Sequence, residues 1–176
     1  MTVSRTPRSQ ELIDLIARFA KEDGDHATAI PGVSVHRRSA TGTKSCGAYK
    51  PSLALIAQGA KQVVLGDDIY RYSGADYLPV TTRIVEASEE KPYLSVTFGI
   101  DTTRVASLLA HAGGGVPAST ARGMTVSSVT PDLEDAAIRL LRLLDRPEDI
   151  PALLPLIEQE IIYRLLTGPQ SARLRQ

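Results

Sequence analysis

The chain carries one cysteine, Cys46, in 176 residues, which excludes an internal disulfide and any cysteine-rich zinc site. Charge of one sign is also missing, because twenty Lys and Arg balance twenty Asp and Glu. With no basic run to neutralise a row of phosphates, the footprint of a nucleic-acid binder is absent, and this piece alone is expected to bind DNA poorly. Apolar runs stay well below the roughly 18 residues of a membrane span, and the polar start from Met1 to Gln10 has no apolar signal-peptide core. These absences predict a soluble, cytoplasmic protein with no membrane partner. The length suits one domain, or one domain with a helical appendage.

Catalytic and cofactor signatures are scarce too. His26, His36 and His111 lie far apart, and none stands in an HxH, HxxxH or HExxH arrangement, so no metal site is expected. There is no GxSxG nucleophile elbow, no GxGxxG and no GxxxxGK[ST]. The run Gly113-Gly114-Gly115-Val116-Pro117-Ala118-Ser119-Thr120 reads as a flexible loop rather than a phosphate cradle. No catalytic residue and no cofactor are therefore expected.

What is present is a sequence of short strands between helices. Ser9 is expected to cap a first helix with Leu12, Ile13, Ile16, Phe19 and Ala20 on one stripe and Gly24 beyond its end. From Ile30 to Gly99 the texture changes to short runs rich in Val, Ile, Leu, Thr and Tyr, broken by Gly, Pro and Asp. This pattern predicts antiparallel strands near 33–38, 52–58, 61–66, 69–73, 76–80, 83–88 and 93–99. Gln58-Gly59-Ala60 and Gly66-Asp67-Asp68 read as hairpin turns within a meander. So many short strands with little helix between them must bury their apolar faces against each other, in a small barrel or a sandwich.

After Asp101 the period becomes helical, with Val105, Leu108, Leu109 and Ala112 on one face. Thr130 as N-cap and Pro131 at the first position open a helix carrying Leu133, Ala137, Leu140, Leu141 and Leu144. Arg146-Pro147-Glu148-Asp149 links it to a last helix that ends at Gly168-Pro169. The broad stripe of that last helix includes Leu153, Leu154, Ile157, Ile161 and Leu165. It either packs onto the strand domain or pairs with a second copy of the chain, which makes these five residues the candidate dimer interface.

Ligand-contact candidates come from the strand region. Cys46, next to Lys44, is either a sensor thiol or an inert one. Tyr49, Tyr70, Tyr72, Tyr77 and Tyr93 either line a pocket for a small polar molecule or pack half-exposed on strands. Glu86, Glu89, Glu90 and Lys91 read as a solvated turn.

Several segments in order resemble the N-terminal domain of AraC-type transcriptional regulators. They are Ala29-Ile30-Pro31-Gly32-Val33-Ser34-Val35, Pro51-Ser52-Leu53-Ala54-Leu55-Ile56-Ala57-Gln58-Gly59-Ala60-Lys61, and Leu65-Gly66-Asp67-Asp68-Ile69-Tyr70-Arg71-Tyr72. Val85-Glu86-Ala87-Ser88, Lys91-Pro92-Tyr93-Leu94 and the stretch from Ile157 through Tyr163-Arg164-Leu165-Leu166-Thr167-Gly168-Pro169 continue the series. The chain departs from the family after Tyr77-Leu78, where Pro79-Val80 follows at once in place of a longer strand.

The resemblance implies an α+β fold, with a cupin-like antiparallel β-barrel of the double-stranded β-helix type followed by a helical hairpin. It implies an N-terminal helix in residues 1–24, a sensor barrel in 25–100, a helical dimerisation region in 101–168, and in 169–176 the start of a linker to a helix-turn-helix DNA-binding domain outside this sequence. Its partners would be a small-molecule effector, a second copy, and DNA only through that further domain. On this reading the pocket residues are His36, Arg38, Cys46, Tyr49, Tyr77 and Tyr93. Two rivals keep the fold: a stand-alone small-molecule binder, and a metal-dependent enzyme, which would need several His from adjacent strands where only His36 lies in the barrel segment.

Overall fold

The computed structural model describes residues 7–42, 44–45, 52–65, 68–73, 82–101, 103–104, 107–108 and 129–167. Helix α1 (Pro7–Phe19) leads into eight strands: β1 (Gly24–Ala27), β2 (Val33–Arg38), β3 (Lys44–Ser45), β4 (Ser52–Gln58), β5 (Ala60–Leu65), β6 (Asp68–Ser73), β7 (Thr82–Glu86) and β8 (Tyr93–Gly99). Helices α2 (Pro131–Arg142) and α3 (Ile150–Thr167) follow, joined by two short 3-10 turns. All strand pairings are antiparallel and form two four-stranded sheets, ordered β1-β2-β8-β4 and β3-β7-β5-β6. Among the described residues the pairings do not close a barrel.

The core lies between the first sheet and the helices. Val33 and Val35, Leu53 and Leu55, and Leu94, Val96 and Phe98 form one cluster with Leu12, Ile13, Leu15 and Ile16 of α1 and Leu133, Ala137, Leu140 and Leu141 of α2. The period of 3.6 in the helices and of 2 in the strands both resolve onto this layer. Helix α1 starts with Pro7 in its first turn, so Ser9 sits inside it and does not cap it. Thr130 caps α2 as expected, its hydroxyl accepting from the Leu133 amide at 3.3 Å. Arg139 binds Glu160 at 2.7 Å and Arg164 binds Asp132 at 2.9 Å. Those crossed sequence positions fix α2 and α3 as an antiparallel hairpin.

The strand order overturns two sequence expectations. Gln58-Gly59-Ala60 is not a hairpin turn, because β4 pairs with β8 in one sheet and β5 pairs with β6 and β7 in the other. Register shifts between Ile56 and Gln58 and between Ala60 and Lys61 flank Gly59, whose φ is +81°. A left-handed glycine between two irregular pairings turns a corner from sheet to sheet. The meander fails as well, since β7 pairs with β5 rather than β6 and β8 returns between β2 and β4. Strand β8 is buried on both faces over most of its length, which suits it to the centre of a sheet.

The second predicted turn holds. The Leu65↔Asp68 register leaves two residues to connect β5 and β6. Strands β1 and β3 lacked any apolar alternation to announce them. The expected strand near 76–80 and the Gly113 loop lie outside the described residues, as do Val105, Leu109 and Ala112.

Candidate functional site

Directly opposed residues of an antiparallel pair share a face, and successive residues alternate faces. The register therefore sorts the first sheet into two surfaces. His26, Val35, Val96 and Leu55 make one row on the helix side, with Val33, Phe98 and Leu53 beside it. The opposite side carries Asp25, His36, Ser95 and Ile56 in one row, Ala27, Ser34, Thr97 and Ala54 in the next, and Arg38 facing Tyr93. This second face is polar, yet Ala54, Ile56, Tyr93 and Ser95 on it are buried. Lys61 of β5, also buried, acts electrostatically on His36, so the second sheet covers this side.

A hydrogen-bond network crosses the polar face. His36 Nδ1 lies 2.7 Å from Asp25 Oδ1 and Nε2 lies 2.9 Å from Thr97 Oγ1. The same Asp25 oxygen accepts from Arg38 Nη2 at 2.6 Å. Side-chain exposure falls from 59% at Asp25 to 22% at His36 and 17% at Arg38, so the row runs from a solvent edge inward.

The electrostatics follow from that placement. Partial burial opposes ionisation of Asp25, but the bonds from His36 and Arg38 outweigh it and hold the carboxyl below its usual range. Burial lowers the affinity of His36 for a proton and, with Arg38 and Lys61, overcomes the attraction of Asp25. The ring is neutral at pH 7. It donates Nδ1–H to the Asp25 carboxylate, which leaves Nε2 as the acceptor of the Thr97 hydroxyl proton. Burial pushes the Tyr93 phenol up to about 12, against a hydrogen bond with Ser95.

One prediction follows for stability. A folded-state His36 that binds its proton less well than the ordinary 6.5 makes the unfolded chain the better proton acceptor. Its contribution is full above about pH 6.5 and is lost as the pH falls through the lower folded value. Chemical denaturation at pH 7.5 and 5.5 is expected to show this loss. His36→Gln should flatten that part of the profile, and an unchanged profile in the variant would mean that another group is responsible.

Of the residues singled out by sequence, the structure brings His36, Arg38 and Tyr93 together on the polar face. Cys46, Tyr49 and Tyr77 lie outside the described residues. Asp25, Lys61, Ser95 and Thr97 belong to the same face and were not picked out. A matching parity of polar residues, at 34, 36 and 38 in β2 and at 93, 95 and 97 in β8, could have found the last two. Among the candidate interface residues of α3, Ile157, Ile161 and Leu165 are buried in the chain's own core, while Leu154 is partly buried and Leu153 exposed. Arg104, Ser107, Leu108, Pro155 and Gln159 border a separate open cavity of about 450 Å³.

Among the described residues no group of His, Cys, Asp and Glu could hold a metal ion, and no helix is long and apolar enough to cross a membrane. The arrangement is that of a mixed α/β domain in which helices cover one face of an antiparallel sheet and a buried polar network occupies the other. Residues 29–173 match the family model described as the AraC-type transcriptional regulator N-terminus. The chain belongs to this family, and so is a regulator domain of AraC type. Among curated proteins, none matches the chain.

Proposed function

We propose that the chain is the effector-sensing and dimerising N-terminal part of an AraC-type regulator, controlling DNA binding by a helix-turn-helix domain C-terminal to it. In this reading the two sheets form a cupin-like cup in residues 25–100, preceded by a helical segment in 1–24. Residues 101–168 pair two copies, 169–176 begin the linker, and the protein acts in the cytoplasm. The observation that carries the reading is the polar face of β1, β2 and β8. Buried polar groups cost free energy unless they serve one another or a ligand, and here His36, Arg38 and Tyr93 are gathered under a second sheet. Cys46, Tyr49 and Tyr77 are assigned to the same pocket from the sequence.

No chemistry on the effector is required. The effector acts by binding one arrangement of the dimer better than another, a difference commonly worth about 1–3 kcal/mol. A thermal-shift panel of small aldehydes, sugars and aromatic acids tests the sensor. A ligand at about a hundred times its Kd is expected to add about 2.7 kcal/mol, and His36→Gln or Arg38→Gln should weaken its effect. A panel without any stabilising member, or turnover of a substrate with added iron or manganese, would replace this reading.

A further inference from the structure

Building on the sensor reading, we infer that the effector bound at this polar face is a small organic anion, a monocarboxylate, which enters together with a proton taken up on His36. The first ground is charge. The described groups that act on His36 are Asp25 on β1, Arg38 on its own strand and Lys61 on β5, and Tyr93 of β8, facing Arg38, belongs to the same network. One carboxylate therefore stands against two cations, and the phenol is neutral. That carboxylate sits at the solvent edge, whereas Lys61, Tyr93 and Ser95 are buried. A positive excess at a covered, low-dielectric surface attracts an anion far more strongly than it would in water.

The second ground is the direction of the hydrogen bonds. A neutral His36 ring holds the Thr97 hydroxyl proton at Nε2, so Thr97 turns an oxygen lone pair towards its surroundings. A protonated ring donates Nε2–H to Thr97 Oγ1 instead, and the hydroxyl proton is released to point elsewhere. Ring protonation thus converts Thr97 from acceptor to donor and adds a positive charge beside it. Both changes favour a carboxylate, and neither favours an uncharged isostere. By reciprocity, a bound carboxylate must raise the proton affinity of His36 as much as the proton raises that of the carboxylate.

The test uses the whole chain and a series of monocarboxylates from acetate to benzoate, each with its matched amide, at fixed ionic strength. Calorimetric titration from pH 5.5 to 7.5 should show carboxylate affinity falling by up to about tenfold per pH unit across the window in which His36 titrates. The His36 ring signal, identified by its loss in His36→Gln, should titrate at higher pH when the carboxylate is bound. His36→Gln is expected to remove the pH slope, and Arg38→Gln to lower carboxylate affinity by about tenfold. Because loss of Arg38 also loosens Asp25, the glutamine at 36, which keeps a hydrogen-bonding side chain, is the deciding variant. Amides that bind as well as acids, or acids whose binding ignores pH, would overturn the anion while leaving the sensor standing. A series in which no member perturbs the His36 signal overturns the anion, and if the wider panel also fails, the sensor falls with it.

Discussion

Gly59→Ala is expected to remove about 3–5 kcal/mol of stability, a large share of the roughly 5–15 kcal/mol a domain possesses, whereas Gly42→Ala should cost only about 1–2 kcal/mol. Both glycines have positive φ, +81° and +89°, so both substitutions incur the left-handed strain of an L-residue. They differ in space. A Cβ at Gly42 meets nothing within 4 Å, while at Gly59 it falls 2.5 Å from the Glu86 carbonyl oxygen and 3.0 Å from Tyr93 Cα. Both obstacles are backbone, and overpacking of this kind adds about 1–3 kcal/mol. Thermal denaturation by circular dichroism should show a fall of about 10 °C or more for the first variant and only a few degrees for the second. Equal small losses would mean that the corner between the sheets is looser than its geometry indicates. Because the clash falls on Tyr93, ligand affinity should suffer in Gly59→Ala even at temperatures where the variant remains folded.

That corner shows where local sequence signals stop. A glycine between two apolar runs announces a reversal, but hairpins and sheet-to-sheet corners share this signal. What separates them is which strand each run pairs with, and β8 lies about forty residues further along the chain than β4. The turn between β5 and β6 was legible because its partners are adjacent in sequence. Helix α2 was legible for a similar reason, since Thr130-Pro131 carries its own start signal within two residues. Strand β1, with the sequence Gly-Asp-His-Ala, has no apolar alternation, and only its pairing with β2 holds it in the sheet.

The candidate site divides along the same line. His36, Arg38 and Tyr93 stand out as residue types that contact ligands, so composition suffices to find them. Asp25 and Thr97 acquire their roles only through His36, from which they are separated by 11 and 61 positions. An aspartate after a glycine and a threonine inside a strand are unremarkable until register places them beside an imidazole. The network thus becomes visible only once three strands are laid side by side.

The pairing surface of α3 was the hardest feature to orient, because the helix is apolar almost all round and its period does not distinguish inside from outside. Packing decides it: Ile157, Ile161 and Leu165 face α2 and the sheet, while Leu153, Leu156 and Tyr163 remain 41%, 62% and 53% exposed. Those three positions are spaced by three and seven residues and form one stripe, the geometry by which a second helix would pack. On the pairing reading, Leu156→Glu is expected to yield folded monomers, with unfolding free energy of the single chain within about 0.5 kcal/mol of the parent. Its dimer Kd should rise by tenfold or more, since about 1.4 kcal/mol of lost contact suffices. Ile161→Glu should behave in the opposite way, because an uncompensated carboxylate in the core costs several kcal/mol and unfolds the chain before pairing becomes the issue. Sedimentation velocity and urea denaturation on both variants separate the two effects. An unchanged mass for Leu156→Glu would move the pairing surface elsewhere, and a folded, monomeric Ile161→Glu would mean that the inward face of α3 is the one that meets the second copy.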